Sequence, residues 1–267
     1  TARYFDLKVG DKIINCLPVK YIAGKMMLVR SLVLGLDLYI HPVTSSPISD
    51  LKKNYELIAF TPIQLENSIP FIKKIKKILV GGSPVQDRLK EKILNSKSNV
   101  YETYGMTETI THVAVRNLSM GEKEFTTLPG IEIGEKDNCL FIKPNHLTIE
   151  MVQTNDVVEI TNKNQFLIIG RRDFIINSGG VKLNPEAIEK KLSKYISADF
   201  IISSIDHCKF GEVVALVFKK NIPDDYNKAF THLSKYEIPK EVLAIDNFPE
   251  NNGKINRVKI RAIINNS

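Results

Sequence analysis

From Lys77 to Tyr101 the sequence spells out a strand, a glycine turn, a helix and a second strand. Lys77-Ile78-Leu79-Val80 is a short apolar run ending in Gly81-Gly82-Ser83-Pro84, Gln86–Ser96 has amphipathic helical spacing, and Asn99-Val100-Tyr101 is extended again. That order is the syntax of a βαβ crossover, so the expected fold class is α/β with a mostly parallel sheet. The upstream sequence agrees. Lys12-Ile13-Ile14-Asn15-Cys16-Leu17 reads as a buried strand, and Ile22–Leu36 as a helix with Gly35 as terminator. Leu38-Tyr39-Ile40 and Leu57-Ile58-Ala59-Phe60 read as strands, and Pro62–Asn67 as a short helix.

Beyond about residue 113 the pattern shifts to short strands at 139–142, 148–151, 157–161 and 166–169, broken by Gly, Asn, Pro and Asp. This is a β-rich subdomain. After Gly170-Arg171-Arg172-Asp173 it changes once more: a helix at Pro185–Leu192, strands at 198–203 and 213–218, a helix at 226–235 and a strand at 242–245. The expected organisation is a large domain over 1–172 and a small α+β domain over 173–267, a division that suits a chain of 267 residues.

The net charge of +7 and pI near 9.1 suit anionic small ligands, and equally an ordinary basic surface. Lys73-Lys74-Ile75-Lys76-Lys77 and Lys190-Lys191 read as solvated helix faces, and with no recognition module beside them nucleic acid is not an expected partner. Cys16, Cys139 and Cys208 form neither a CxxC pair nor an even-numbered framework. With no run of eighteen apolar residues and no visible signal peptide, the expectation is a cytoplasmic protein without membrane insertion.

Tyr104-Gly105-Met106-Thr107-Glu108 concentrates an aromatic face, a residue without a side chain, a hydroxyl and a hard oxygen ligand. It resembles the YGxTE signature of the AMP-forming adenylating enzymes. The companions extend the resemblance: the turn Gly81-Gly82-Ser83-Pro84, the Gln153-Thr154-Asn155-Asp156 segment with Asn155 where the family has glycine, the long Gly170–Glu186 hinge segment, and Asn252-Gly253-Lys254-Ile255-Asn256-Arg257 near the end. Asn184-Pro185 also reads as a helix cap followed by a first-turn proline.

The resemblance implies a large adenylating core with a small mobile carboxy-terminal domain, and a use for each motif. Gly81, Gly82, Ser83, Tyr104 and Gly105 would line the nucleotide; Thr107 would touch phosphate, and Glu108 would help hold Mg2+. Asp156 and Arg171 would hold the ribose, Asp173 would be the hinge, and Lys254 would neutralise charge as the acyl phosphate bond forms. The implied chemistry is attack of a carboxylate on the α-phosphorus of ATP with loss of pyrophosphate, then attack of the coenzyme A thiol on the acyl adenylate with loss of AMP. The family's phosphate loop normally precedes the helix with which this chain begins, so an amino-terminally truncated enzyme, with a missing amino-terminal segment, is the expectation.

Cys16-Leu17-Pro18-Val19-Lys20-Tyr21-Ile22-Ala23-Gly24 looks like the acyl-pocket segment, with Lys20-Tyr21 in place of the more usual aromatic-His ending. Motif spacing is most similar to the branch that activates o-succinylbenzoate in menaquinone biosynthesis, an aromatic dicarboxylic acid that would need a second contact. Lys20, Tyr21, Gly24 and His112 are the acyl-binding candidates, with Lys25 and Arg30 as further cations on a helix where a solvent-facing position is more usual. Other acyl-CoA ligases, a peptide-synthetase adenylation domain and a non-catalytic nucleotide-binding fragment use the same motifs and stay open.

Overall fold

The computed structural model describes residues 1–145, 151–251 and 254–266, with Lys254 described by its backbone alone. Most of the expected strand at 148–151, and Asn252-Gly253 of the terminal motif, lie outside them. The first elements are α1 (Ala2–Phe5), β1 (Lys12–Asn15), α2 (Ile22–Leu34), β2 (Asp37–Ile40), β3 (Tyr55–Phe60), α3 (Pro62–Ser68), β4 (Ile75–Val80), α4 (Asp87–Ile93) and β5 (Asn99–Gly105). Six strands follow: β6 (His112–Asn117), β7 (Phe125–Thr127), β8 (Ile131–Lys136), β9 (Cys139–Pro144), β10 (Val152–Asn162) and β11 (Gln165–Arg171). The remainder holds β12 (Ile176–Ser178), β13 (Val181–Leu183), α5 (Pro185–Leu192), β14 (Phe200–His207), β15 (Gly211–Lys219), β16 (Glu241–Ile245), β17 (Glu250–Asn251), β18 (Lys254–Ile255) and α6 (Arg257–Asn265).

The large sheet is ordered β2-β1-β3-β4-β5-β6-β7-β11-β10-β9-β8. Two compact units divide the chain, one of residues 1–135, 141–153 and 160–167, the other of 136–140, 154–159 and 168–267. In the first unit β2, β1, β3, β4 and β5 are parallel neighbours, and β6, β7 and β11 continue antiparallel. Consecutive residues Ile13 and Ile14, and Leu57 and Ile58, are fully buried, so these strands are covered on both faces. That burial explains why they read as unbroken apolar runs rather than alternating ones. Helix α2 stops where Gly35 takes φ 62°, and α3 starts with a reciprocal cap between Thr61 and Gln64.

One expectation is corrected here. Lys73-Lys74 ends a short 3-10 segment and Ile75-Lys76-Lys77 opens β4, so this charge run is not a helix face. Lys77 is buried, donating to Glu56 Oε1 at 2.5 Å and to the carbonyl of Phe5, while Lys76 reaches the same carboxylate at 3.1 Å.

In the second unit β15 lies between antiparallel β14 and parallel β16. Its side chains alternate: Val214, Leu216 and Phe218 join Ile188 and Leu192 of α5, whereas Ala215 and Val217 join Ile260 and Ile264 of α6. The expected helix at 226–235 is instead a 3-10 segment, Tyr226–His232, whose sole fully buried residue is Ala229. It offers too narrow an apolar face to support an α-helix. Among the described residues no helix is long and apolar enough to cross a membrane.

Candidate functional site

Parallel pairing sends the carboxyl ends of β1, β3, β4 and β5 to one edge of the first unit's sheet. The chain leaves β1 for β2 on one side and then crosses to β3 on the other, a switch in winding direction that opens a crevice at strand ends. The segments after β1, β4 and β5 are the ones the sequence singled out.

Gly81 follows β4, donating its N–H to Phe60 O at 3.1 Å; a Cβ there would sit 2.4 Å from Thr103 Oγ1, so a larger residue would have to displace the hydroxyl that bonds Val80 O at 3.2 Å. Gly82 has φ +92°, and Ser83 is half-buried. The turn is held by Glu102, whose Oε1 accepts from Val85 N at 3.0 Å while Oε2 accepts from Arg116 Nε at 2.8 Å and Nη2 at 2.6 Å. This buried carboxylate was missed from the sequence, where the only signal is an acidic residue inside an otherwise packed strand.

Strand β5 runs through Tyr104 to Gly105, where the register with β6 shifts. A Cβ on Gly105 would meet His112 Cα at 2.6 Å, so the bulge depends on glycine. The Tyr104 ring is half-buried, edge-on to Phe166 at 5.4 Å and tilted against Phe125 at 5.9 Å. Thr107 and Glu108 then stand exposed on a 3-10 turn, Thr107–Thr109. Thr109 Oγ1 closes that turn, accepting from Met106 N at 3.1 Å and donating to Thr111 O at 2.9 Å. Ile110 ends it at φ 65°, a strained setting for a β-branched residue.

Gly24 is also obligatory, because a Cβ would lie 2.4 Å from Pro18 O. Lys20 and Tyr21 are exposed, with the Lys20 ammonium 5.0 Å from the Tyr21 ring centre, and Lys25 is exposed too. Arg30 departs from the expected outward orientation. It is 8% exposed, donates Nη2 to Thr111 Oγ1 at 2.7 Å and Nη1 to Met27 Sδ at 3.5 Å, and its buried Nε has no acceptor. Among the described residues no carboxylate pairs with it, and burial lowers its pKa to about 10, still charged at neutral pH.

Thr111 and His112 line a pocket of about 340 Å³ together with Thr109, Leu128, Gly130 and Ile131. Burial, reinforced by the positive charge of Arg30, pulls the His112 pKa down to about 3, so the ring is neutral. Its Nε2 lies 3.3 Å from Thr1 Oγ1.

In the second unit Asp156 and Arg171 meet directly, Arg171 Nη1 donating to the buried Asp156 Oδ1 at 3.1 Å and Nη2 to Asp173 Oδ2 at 2.8 Å. Asn155 Nδ2 donates to Asp173 Oδ1 at 2.9 Å, and Arg172 Nη2 donates to Asn155 Oδ1 at 3.0 Å. Asn155 sits within β10 and needs no left-handed backbone, so the missing family glycine costs the loop nothing. Lys254 lies on β18, paired with Asn251. No cluster of three metal-ligating side chains occurs among the described residues. The lone exposed Glu108 beside a hydroxyl still fits Mg2+, which binds through one or two carboxylates plus the phosphates of its nucleotide.

No protein-family model matches the chain. It is 23% identical to the 2-succinylbenzoate–CoA ligase of Staphylococcus epidermidis, over 93% of this chain and 60% of that protein, so it spans about three fifths of that relative. The fold matches the o-succinylbenzoate CoA synthetase of Bacillus subtilis, solved in complex with the acyl-adenylate intermediate OSB-AMP, with a TM-score of 0.83 at 21% identity over 97% of this chain and 62% of that one. An acyl-CoA synthetase (AMP-forming)/AMP-acid ligase II-like protein from Dyadobacter fermentans shares 32% of its sequence over 98% of this chain and 81% of its own, with a TM-score of 0.61. At that identity and coverage, the chain belongs to the AMP-forming acyl-CoA synthetase family.

Proposed function

We propose that the protein takes part in AMP-forming ligation of an aromatic dicarboxylic acid, o-succinylbenzoate, to coenzyme A. The observation that carries the substrate class is Arg30. Among the described residues an alcohol and a thioether alone hold this buried guanidinium, which leaves it electrostatically incomplete, and a second carboxylate of the acid would complete it. Thr111 ties it to the pocket wall. The name carried by the Staphylococcus epidermidis relative points the same way.

The remaining roles follow the chemistry of each group. In the first unit the backbone at Gly81, Gly82 and Gly105 admits a close nucleotide, Ser83 offers a hydroxyl and Tyr104 a ring face. Thr107 hydrogen-bonds phosphate, and Glu108 holds Mg2+, which when bound would offset the phosphate charge. Lys20, Tyr21, Gly24 and His112 shape the acyl pocket; the neutral His112 adds no competing positive charge beside Arg30. In the second unit Asp156 accepts from the ribose hydroxyls, Arg171 supports it, Asp173 is the turning point and Lys254 stabilises charge in adenylation.

The test is AMP, pyrophosphate and thioester formation from o-succinylbenzoate, ATP and coenzyme A. Lys254→Ala is expected to stop pyrophosphate release. Arg30→Ala is expected to raise the KM for o-succinylbenzoate about 10- to 100-fold, the worth of a charge-assisted hydrogen bond, and to leave a monocarboxylic aryl acid nearly unaffected. Nucleotide binding without pyrophosphate release would instead support a non-catalytic binding role.

A further inference from the structure

We propose that Arg257 is the positioning residue for Lys254, clamping the terminal hairpin to α5 and to the turn at Phe174 so that the lysine is presented from one fixed frame. The inference rests on the adenylation role proposed above for Lys254. Arg257 opens α6 three residues after that lysine. Its guanidinium donates Nη1 to Glu189 Oε1 at 2.8 Å and Nη2 to Glu189 Oε2 at 2.5 Å, and Nη1 also reaches Ile202 O at 3.1 Å. Glu189 in turn accepts from Ile202 N at 2.7 Å, so arginine, helix α5 and strand β14 meet at one point. The guanidinium carbon lies 5.5 Å from the centre of the Phe174 ring, in the same Arg172–Phe174 turn as Asp173.

Among the described residues the hairpin has little else to hold it. It consists of two residue pairs, Glu250 with Ile255 and Asn251 with Lys254, and Glu250, Asn251 and Ile255 are exposed. Such a short ladder is not stable by itself. Asn256 fixes its exit, donating N–H to Pro249 O at 2.8 Å and accepting from Lys259 N at 3.0 Å, and the next anchor along the chain is Arg257. Helix α6 has independent support, since Ile260 and Ile264 are buried against Ala215 and Val217. Loss of the arginine therefore loosens the hairpin more than the helix.

Helix α5 is the common frame. One turn before Glu189, Glu186 Oε2 accepts from Arg171 N at 2.9 Å, and Asn184 Nδ2 donates to Ile169 O at 3.1 Å. The same helix is thus tied through its first turn to Ile169 and Arg171, which precede Asp173, and through Glu189 to the lysine hairpin, which follows it, so a turn at Asp173 would carry the hairpin with α5 and would have to release the contacts to Ile169 and Arg171. A planar fork is needed for this, because lysine cannot make two parallel bonds to one carboxylate.

The experiment compares the chain with its Arg257→Met, Arg257→Lys and Glu189→Gln variants by amide hydrogen exchange and by the two half-reactions. Exchange is expected to rise about tenfold within 250–257, in the 172–176 turn and at Ile202, whose N–H Glu189 accepts, with β15 and the rest of β14 unchanged. Pyrophosphate exchange driven by the acid should fall about 30-fold through kcat with KM for ATP unchanged, thioester formation from added acyl adenylate should fall less than about threefold, and Arg257→Lys should lie between. Exchange that rises equally through β14, β15 and α5, or does not rise, would overturn the clamp, as would a parallel fall of both half-reactions. If the unaltered chain shows no pyrophosphate exchange, the ligase reading fails on its own, and hydrogen exchange still decides whether Arg257 holds the hairpin.

Discussion

His112 illustrates how one half-buried side chain makes stability depend on pH. Folded, its pKa lies near 3, pulled down first by burial and then by Arg30. Unfolded, it would titrate near the ordinary histidine value of about 6.5. Between those values the unfolded chain binds the proton and the folded one refuses it. The contribution is complete above about pH 6.5 and is lost as pH falls toward 3. A urea titration of the first unit should therefore give a lower midpoint at pH 4.5 than at pH 7, and His112→Gln should flatten the difference; an unchanged slope would mean that His112 is not the group responsible. The cysteines give a second prediction. Burial pushes the Cys16 thiol up to about 12 while its Sγ donates to Ala59 O at 3.4 Å, Cys139 is buried, and Cys208 is exposed. Iodoacetamide at neutral pH should add one group to the native chain, on Cys208, and three after unfolding, counted by intact mass.

Among the elements, α5 was readable because its cap is local. Asn184 Oδ1 accepts from Ala187 N at 3.1 Å and Pro185 fills the first helical position, so the start of Pro185–Leu192 is written in two adjacent residues. Asn184→Ala should destabilise the second unit by about 1–2 kcal/mol, the upper end because its amide also serves Ile169 O, with calorimetry as the check. The parallel strands and α2 were legible for a similar reason, since continuous apolar runs and Gly35 carry the signal within a short window. What the sequence could not give depends on partners far along the chain. Lys77 turns inward because Glu56 waits on the neighbouring strand, Arg30 because Thr111, just before β6, accepts from it, and Glu102 becomes the anchor of the 81–85 turn through Arg116. In the candidate site the motifs at 81–83, 104–108, 156 and 171 were visible as residue types. The packing of Tyr104 on Phe125 and Phe166 was not, because its aromatic neighbours come from two other strands.

At the scale of the molecule, each unit carries its own apolar core. The first is built on Ile14, Ile58, Ile78, Val80 and Val100, and the second packs α5 on one face of β15 and α6 on the other. The second unit takes the strand segments 136–140 and 154–159 along with everything from Ile168 on, an interleaving invisible to a reading that runs along the chain. A unit with a separate core should report a core defect locally. Ile78 and Leu216 are both fully buried on central strands, so truncation of either to alanine should cost about 2–5 kcal/mol. The two losses should appear in different places. Ile78→Ala should accelerate amide exchange across β3, β4 and β5 and leave β14 and β15 protected, and Leu216→Ala should do the reverse. If either substitution raises exchange throughout both sets of strands, the cores unfold as one cooperative body, because the free energy removed from one would then be shared by the other.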